Sequence, residues 1–434
     1  MTQLFPRGAD LSSVERAQGC WVTDTRGNSY LDAASGALVV NIGHGDSRVT
    51  AAIQRQMAAV SYVHPSAFTS EVAERYAAAL SPRLPMADAW VFPVSGGSEA
   101  VETALKAVRA FHLARGEPDR SIIIGRELSY HGNTRGALDV SGRRALREPY
   151  LPWLDQAERV PGVLEYRCPN PGHPDGCAQW HAKRLDEAIV RLGAGTVAAF
   201  IAEPIGGAAS GAAAPPEGYW QAIRKVCDEH GVLIIADEVM TGFGRTGRWF
   251  ASDHFGLEPD VMTLAKGAAS GYFPLGICAM AGDVAAPLLE RGFTHGLTFS
   301  HHPVGSAAGL AVLQRLDELR LPEAAAVKGE RLKLSLQRAI GDHPIVGDIR
   351  GVGLLLAVEL VADREAKTPF PRSRKMAERL TLLAKDKGLL VYPSSGCAGG
   401  ENGDLVLIGP PLTITDGEMQ EIPKRLGEAM MELS

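Results

Sequence analysis

The chain has 434 residues, enough to bury a sizeable core, and its 45% hydrophobic and 22% charged content is ordinary for a globular protein. A formal charge of −6 gives nucleic acid or an anionic membrane surface no electrostatic reason to bind, so neither is expected as a partner. The N-terminus lacks the basic segment and long apolar core of a secretory signal, nothing approaches the ~18 apolar residues of a membrane span, and the expected location is cytoplasmic.

Six cysteines, Cys20, Cys168, Cys177, Cys227, Cys278 and Cys397, are spread without paired short spacings and do not form a disulfide framework. Cys168, His173, Cys177 and His181 are side chains that zinc favours, but their spacing matches no familiar zinc module. A loop insertion is the better reading of that Pro/Gly-rich segment, and no metal is expected. Arg143, Arg144 and Arg147 form a small basic cluster, read as a solvated face.

In chain order, Gly27-Asn28 between short apolar runs signals a hairpin within about 21–45. Val49, Ala52, Ile53 and Met57 have helical spacing, and a second helix is expected from Ser70 to about Leu80. Tyr62, His64 and Phe68 precede it and could be core or could line a pocket. Ser95-Gly96-Gly97-Ser98 then opens a helix whose apolar face is Val101, Ala104, Leu105 and Val108 and which stops at Gly116. Small residues there let several N–H groups converge at a helix N-terminus, where the dipole also favours an anion. The segment therefore reads either as a phosphate site or as a plain Ser N-cap.

From Ser121 onward strands alternate with helices. The strand runs are Ile122–Ile124, Val197–Ala202 ending at Glu203-Pro204, and Val232–Ala236 ending at Asp237; helical patterns at about 181–192 and 217–230 separate them. That alternation argues for a parallel sheet covered on both faces. Tyr130, after a strand end, could stack on a flat ligand or simply pack. Open α/β sheets bind ligands beyond the carboxyl ends of their strands, where Asp237 stands. Lys266 ends a further short apolar run, Val261–Ala265.

An Asp and a Lys at the ends of apolar segments each need a partner, because a buried unpaired charge is costly. A pyridine aldehyde cofactor answers for both, its ring nitrogen held by the carboxylate and its carbonyl captured by the amine as a Schiff base. Gly242-Phe243-Gly244-Arg245-Thr246-Gly247 matches a dinucleotide-binding turn letter for letter, yet no long helix opens from it, which argues against a nicotinamide or flavin site. Gly267, Gly271, Pro274 and Gly276 let the backbone approach a ligand closely, and Thr298 is a candidate anion contact. After a long helix over about 321–340, strands within 349–360 and 389–391 and helices at about 373–387 and 416–431 read as a second, smaller unit. No internal repeat is visible.

Together, Ser95-Gly96-Gly97-Ser98-Glu99-Ala100, Ser129-Tyr130-His131-Gly132, Glu203-Pro204, Lys266 and the run from Asp237 to Gly247 resemble the class III family of pyridoxal-phosphate aminotransferases, the branch with omega-amino acid and amine:pyruvate transaminases. The resemblance covers nearly the whole chain. It implies the fold type I α/β architecture, with a large domain built on a mostly parallel seven-stranded sheet (59–325) and a small α+β domain from both chain ends (1–58 and 326–434). It implies pyridoxal 5'-phosphate as cofactor, with Lys266 as the Schiff-base lysine and Asp237 on the ring nitrogen. Gly97, Ser98, Tyr130, His131, Glu203, Val239 and Thr298 would be further cofactor contacts, Thr298 reaching the phosphate of a neighbouring subunit in a homodimer.

The implied reaction moves an amino group from a primary amine or omega-amino acid to an oxo acid such as pyruvate. A racemase, epimerase or decarboxylase would use the same scaffold, and a non-catalytic cofactor-binding protein is a reading of a different class. In one respect the chain departs from the family. Where many members carry a carboxylate-binding Arg after the strand matching Leu389–Val391, this chain has Tyr392, which cannot make a two-pronged charge-assisted contact. Leu38, Tyr62 and Tyr392 are the candidate substrate contacts.

Overall fold

The computed structural model describes residues 5, 11–155, 157–168, 172 and 176–433. In chain order the strands are β1 (Val14–Gln18), β2 (Trp21–Asp24), β3 (Ser29–Asp32), β4 (Trp90–Val94), β5 (Ile122–Arg126), β6 (Arg159–Val160), β7 (Val197–Ala202), β8 (Leu233–Asp237), β9 (Val261–Leu264), β10 (Gly276–Met280), β11 (Val346–Val352), β12 (Leu355–Asp363), β13 (Thr368–Pro369), β14 (Leu389–Leu390), β15 (Tyr392–Ser394) and β16 (Asp404–Ile408).

Seven of them form the large sheet, in the order β4-β10-β9-β8-β7-β5-β6. β6, β5, β7, β8 and β9 run parallel, while β10 is antiparallel to both of its neighbours. Successive side chains leave opposite faces of a strand, so continuous apolar runs require two covers. Phe200, Ile234, Met262 and Ile277 enter one core, and Ile201, Ile235, Val261 and Cys278 enter another with Val101, Ala104 and Val108 of the helix Gly97–Ala114. The fold is therefore α/β, as expected. β4, β10 and the helix Gly282–Arg291 were not anticipated, because each is a short mixed segment without a clean period.

Two smaller sheets stand apart, β1-β2-β3-β14 and β11-β12-β16-β15, with β13 on β12. β14 pairs parallel with β3 through Leu389↔Leu31 and Leu390↔Asp32, which stitches the C-terminal region to the N-terminal one. The stretch 349–360 is a hairpin that turns at Gly353 between β11 and β12.

The glycine-rich run after β8 is loop and turn, as its lack of a helical pattern suggested. Its Arg245 is fully buried and donates to the carbonyls of Leu354 at 3.1 Å and Pro410 at 2.6 Å, and to Asn41 Oδ1 at 2.9 Å. Burial pulls its pKa down to about 9, against the opposing pull of Asp32. A cation so held survives desolvation through carbonyl dipoles instead of a contacting carboxylate.

Candidate active site

A cavity of about 410 Å³ opens beyond the carboxyl ends of β7 and β8, with Gly97, Ser98, Tyr130, His131, Asp237 and Lys266 among its lining residues. Asp237, the last residue of β8, is buried. Its Oδ2 accepts the His131 Nδ1–H at 2.6 Å and its Oδ1 accepts the Val239 N–H at 3.0 Å. Glu238 beside it points away into the protein, where it accepts the N–H groups of Ala251 (2.9 Å) and Ser252 (2.7 Å) and the hydroxyls of Ser252 and Thr241. Those four bonds fix the turn and so aim Asp237. His131 is fixed in turn, its N–H donating to Ser141 Oγ at 2.8 Å, while its Nε2 is buried with no hydrogen-bond partner.

Lys266 follows β9 by two residues, has a left-handed backbone (φ 43°), and is half-buried, lining the cavity. Burial draws its pKa down from 10.5 to about 8, although the carboxylates of Asp237 and Glu203 pull the other way. At pH 7 that leaves roughly a tenth of the amine neutral, about 300 times the fraction an ordinary lysine would show. Glu203, just past β7, accepts the Gly207 N–H at 3.0 Å through Oε1; its Oε2 is buried without a partner, and burial raises its pKa.

Across the cavity stands the N-terminus of the helix Gly97–Ala114. Ser95 N–H donates to Glu99 Oε2 at 2.8 Å, tightening the turn, and Ser98 Oγ accepts the Asn133 N–H at 3.2 Å, tying it to the Tyr130 segment. Ser95 Oγ is buried without a partner. A Cβ on Gly97 would meet Val239 Cγ1 at 3.0 Å, and one on Gly276 would run into the Gly96 carbonyl, so glycine is required where β10 passes the turn. Helix N–H groups with small residues make an anion cradle. Taken together, the donor set suits a flat aromatic molecule with an anionic arm, a basic ring nitrogen toward Asp237 and an electrophilic carbon toward Lys266.

Gly97, Ser98, Tyr130, His131, Glu203, Asp237, Val239 and Lys266 thus share one cavity, whereas Thr298, Tyr62, Leu38 and Tyr392 do not line it. The Tyr62 hydroxyl donates to the Thr298 carbonyl at 2.8 Å on an exposed surface. Leu38 and Tyr392 belong to the same apolar cluster as Ile205, Ala208 and Met240, which do line the cavity. Val39, Met240 and Phe273 also line the cavity but were not anticipated; apolar side chains with no partner chemistry leave no signal in a sequence.

His173 lies outside the described residues, as does any test of the four-residue Cys/His group. Among the described residues no group of three or more His, Cys, Asp or Glu could hold a metal ion. Burial first, and then the adjacent Cys168, push the Cys177 thiol up to about 11. The reading of Arg143, Arg144 and Arg147 as one solvated face needs correction. Only Arg144 is exposed, next to Glu148 at 3.7 Å; Arg147 is buried, donating to the Leu138 carbonyl at 3.2 Å, and Arg143 is half-buried. A helical turn that packs inward turns its cations in with it.

The model of the class-III aminotransferases matches residues 5–430. The uncharacterized aminotransferase YodT of Bacillus subtilis is 40% identical over 412 residues, covering 94% of this chain and 92% of its own. The putrescine–pyruvate aminotransferase of Pseudomonas aeruginosa is 34% identical over 435 residues, with coverage of 97% and 90%. Among solved structures, the omega transaminase from Pseudomonas jessenii in complex with PMP superposes with a TM-score of 0.92 at 33% identity, covering 100% of this chain and 96% of that one.

Proposed function

This chain belongs to the class-III aminotransferases, and from that membership we propose that it moves an amino group from a primary amine or omega-amino acid to an oxo acid such as pyruvate, with Lys266 and Asp237 as its catalytic residues. Pyridoxal 5'-phosphate is the family's cofactor, and the buried Ser95 hydroxyl, the open helix N-terminus and the Asp237 carboxylate form a donor set that fits it. When bound, it supplies a carbonyl that captures amines and a protonated ring that draws electrons from the substrate carbon. Asp237 would hold the proton on the ring nitrogen, and the His131 Nδ1–H fixes that carboxylate. Lys266 Nζ would hold the cofactor and would carry a proton to and from the substrate carbon; its lowered pKa suits a general base near neutrality. Gly97 and Ser98 would receive the phosphate through their N–H groups, and Tyr130 would cover one ring face.

The single observation behind this reading is that Asp237 and Lys266, from separate strand ends, meet in one cavity that also receives a helix N-terminus. A homodimer belongs to the proposal. Thr298 is exposed beside Tyr62 and Phe299 and outside its own cavity, which suits a residue that completes a partner's phosphate site, and exposed apolar groups there suit an interface. The proposed domains are 59–325 and the union of 1–58 with 326–434, the β3–β14 pairing joining the two ends of the latter. The proposed location is cytoplasmic; no helix of the described residues is long and apolar enough to cross a membrane.

The test is the visible absorbance of the purified, cofactor-loaded protein before and after a panel of amines, with Lys266→Ala as control. The expected result is a band that bleaches with an amine and returns with pyruvate, and that Lys266→Ala lacks. A band that no amine bleaches, or amine consumption with no aminated acceptor, would refute transamination.

A further inference from the structure

Oxo acids and omega-amino acids both carry a carboxylate, yet among the described residues lining the cavity the one lysine or arginine is Lys266, which the chemistry itself uses. Tyr392 offers a hydroxyl only. Arg143 is half-buried and lies two hydrogen bonds from the cavity wall. It follows Gly142, whose N–H donates to the Ser129 hydroxyl at 3.0 Å, and Ser141, whose hydroxyl accepts the His131 N–H at 2.8 Å. Arg143 therefore springs from the turn that backs Tyr130 and His131. Its Nη2 donates to Ser394 Oγ at 3.1 Å, and that hydroxyl donates to the carbonyl of Ala208, a residue of the cavity wall, at 2.6 Å. Ser394 shares β15 with Tyr392. Neither Arg143 nor Ser394 lines the cavity itself; the guanidinium lies behind it, joining through Ser394 the turn that backs Tyr130 and His131 to the wall that carries Ala208.

No carboxylate among the described residues lies within 4.0 Å of it, whereas its neighbours Arg144 and Arg147 face Glu148 and Asp139 at 3.7 and 3.6 Å. A guanidinium has five N–H donors, and a single neutral hydroxyl occupies only one of them. A planar cation with donors to spare suits a carboxylate, which it grips with two parallel bonds. We propose that Arg143 receives the carboxylate of the oxo acid, and of any omega-amino acid donor, with the Ser394 hydroxyl holding one edge of the guanidinium in position. This rests on the aminotransferase reading above and names carboxylates as its substrates.

The test uses the loaded holoenzyme and the variants R143Q, R143K and R144Q. Acceptors are pyruvate and propanal, which has the same chain length without the carboxylate. R143Q is expected to lower kcat/KM for pyruvate at least ~tenfold, mainly through KM, the loss of charge-assisted hydrogen bonds, while propanal changes by less than about threefold. R143K, which keeps the charge without the fork, falls between, and R144Q matches the wild type. Equal losses on both acceptors, no loss on pyruvate, or a loss confined to R144Q would overturn the proposal. A second readout does not depend on turnover. Isobutyrate, which cannot react, is expected to bind the wild type at least ~tenfold tighter than R143Q by calorimetry, while isobutyramide binds both alike. Isobutyrate binding unchanged in R143Q would refute the role of Arg143 even if transamination is established. Conversely, a wild type that aminates no acceptor defeats the aminotransferase reading, and the isobutyrate comparison still decides Arg143. Should R143Q lose the wild-type visible absorbance and so prove misfolded, R143K carries the same comparison.

Discussion

Replacing Lys266 with Met in the cofactor-free protein exchanges a half-buried amine for an uncharged chain of similar length. The amine's pKa falls from 10.5 to about 8 on folding, a depression of about 2.5 pH units. At about 1.4 kcal/mol each, this is a cost of roughly 3 kcal/mol to the folded state. Below pH 8 the lysine is charged in both folded and unfolded chains, and the whole cost is present. As pH rises from about 8 toward 10.5 the folded protein releases its proton first, so the cost fades and stability rises with pH. From pH 7 to 9.5 the relief amounts to about 2 kcal/mol. The assay is urea unfolding of the wild type and Lys266→Met at fixed protein concentration across that range. The difference between their stabilities should shrink by about 2 kcal/mol as pH rises, other titrating groups cancelling. Parallel curves would refute the claim that Lys266 is half-buried as a free amine against Asp237 and Glu203.

Asp237→Asn should keep the cofactor but lose at least ~10²-fold in turnover, measured by steady-state rates alongside the visible band; a loss under tenfold would mean that the carboxylate does not govern ring protonation. Gly276→Ala pushes a Cβ into the Gly96 carbonyl, so cofactor affinity should weaken and stability fall by roughly 1–3 kcal/mol, both measurable by titration and denaturation. An unchanged affinity would separate β10 from the anion cradle. Thr298→Val and Lys266→Ala should each be defective alone, yet mixed and re-associated subunits should regain function at about a quarter of the sites, because a hybrid dimer has one site with neither lesion. If mixing restores nothing, Thr298 does not serve a partner.

β5, β7, β8 and β9 were legible because they carry continuous apolar runs, the last three leading to a residue with chemistry, Glu203, Asp237 or Lys266, whereas the two-residue β6 left no pattern. β4 and β10 were not, since Trp90–Val94 and Gly276–Met280 are short and take their pairing from each other across long separations. The anion cradle was half legible. Its glycines announced a turn, but that β10 runs close beneath Gly96 is a tertiary fact. Arg143 shows the limit most clearly: a run of arginines reads as surface in one dimension, and only folding divides it into an exposed, a bridging and a buried member.

Arg245 sets a timetable. Its guanidinium is held by groups from residues 41, 354 and 410, contributed by both ends of the chain. A nascent chain emerging from the ribosome can form β8 and the loop that contains Arg245 long before Leu354 and Pro410 exist. Until they do, the guanidinium lacks two of the carbonyls that offset its loss of water. Asp237 is made about midway through synthesis with its own partners, His131 and Val239, already at hand, whereas Arg245 waits for the last of its carbonyls, so a chain cut short before residue 410 would display the whole family signature and still leave that guanidinium short of a partner.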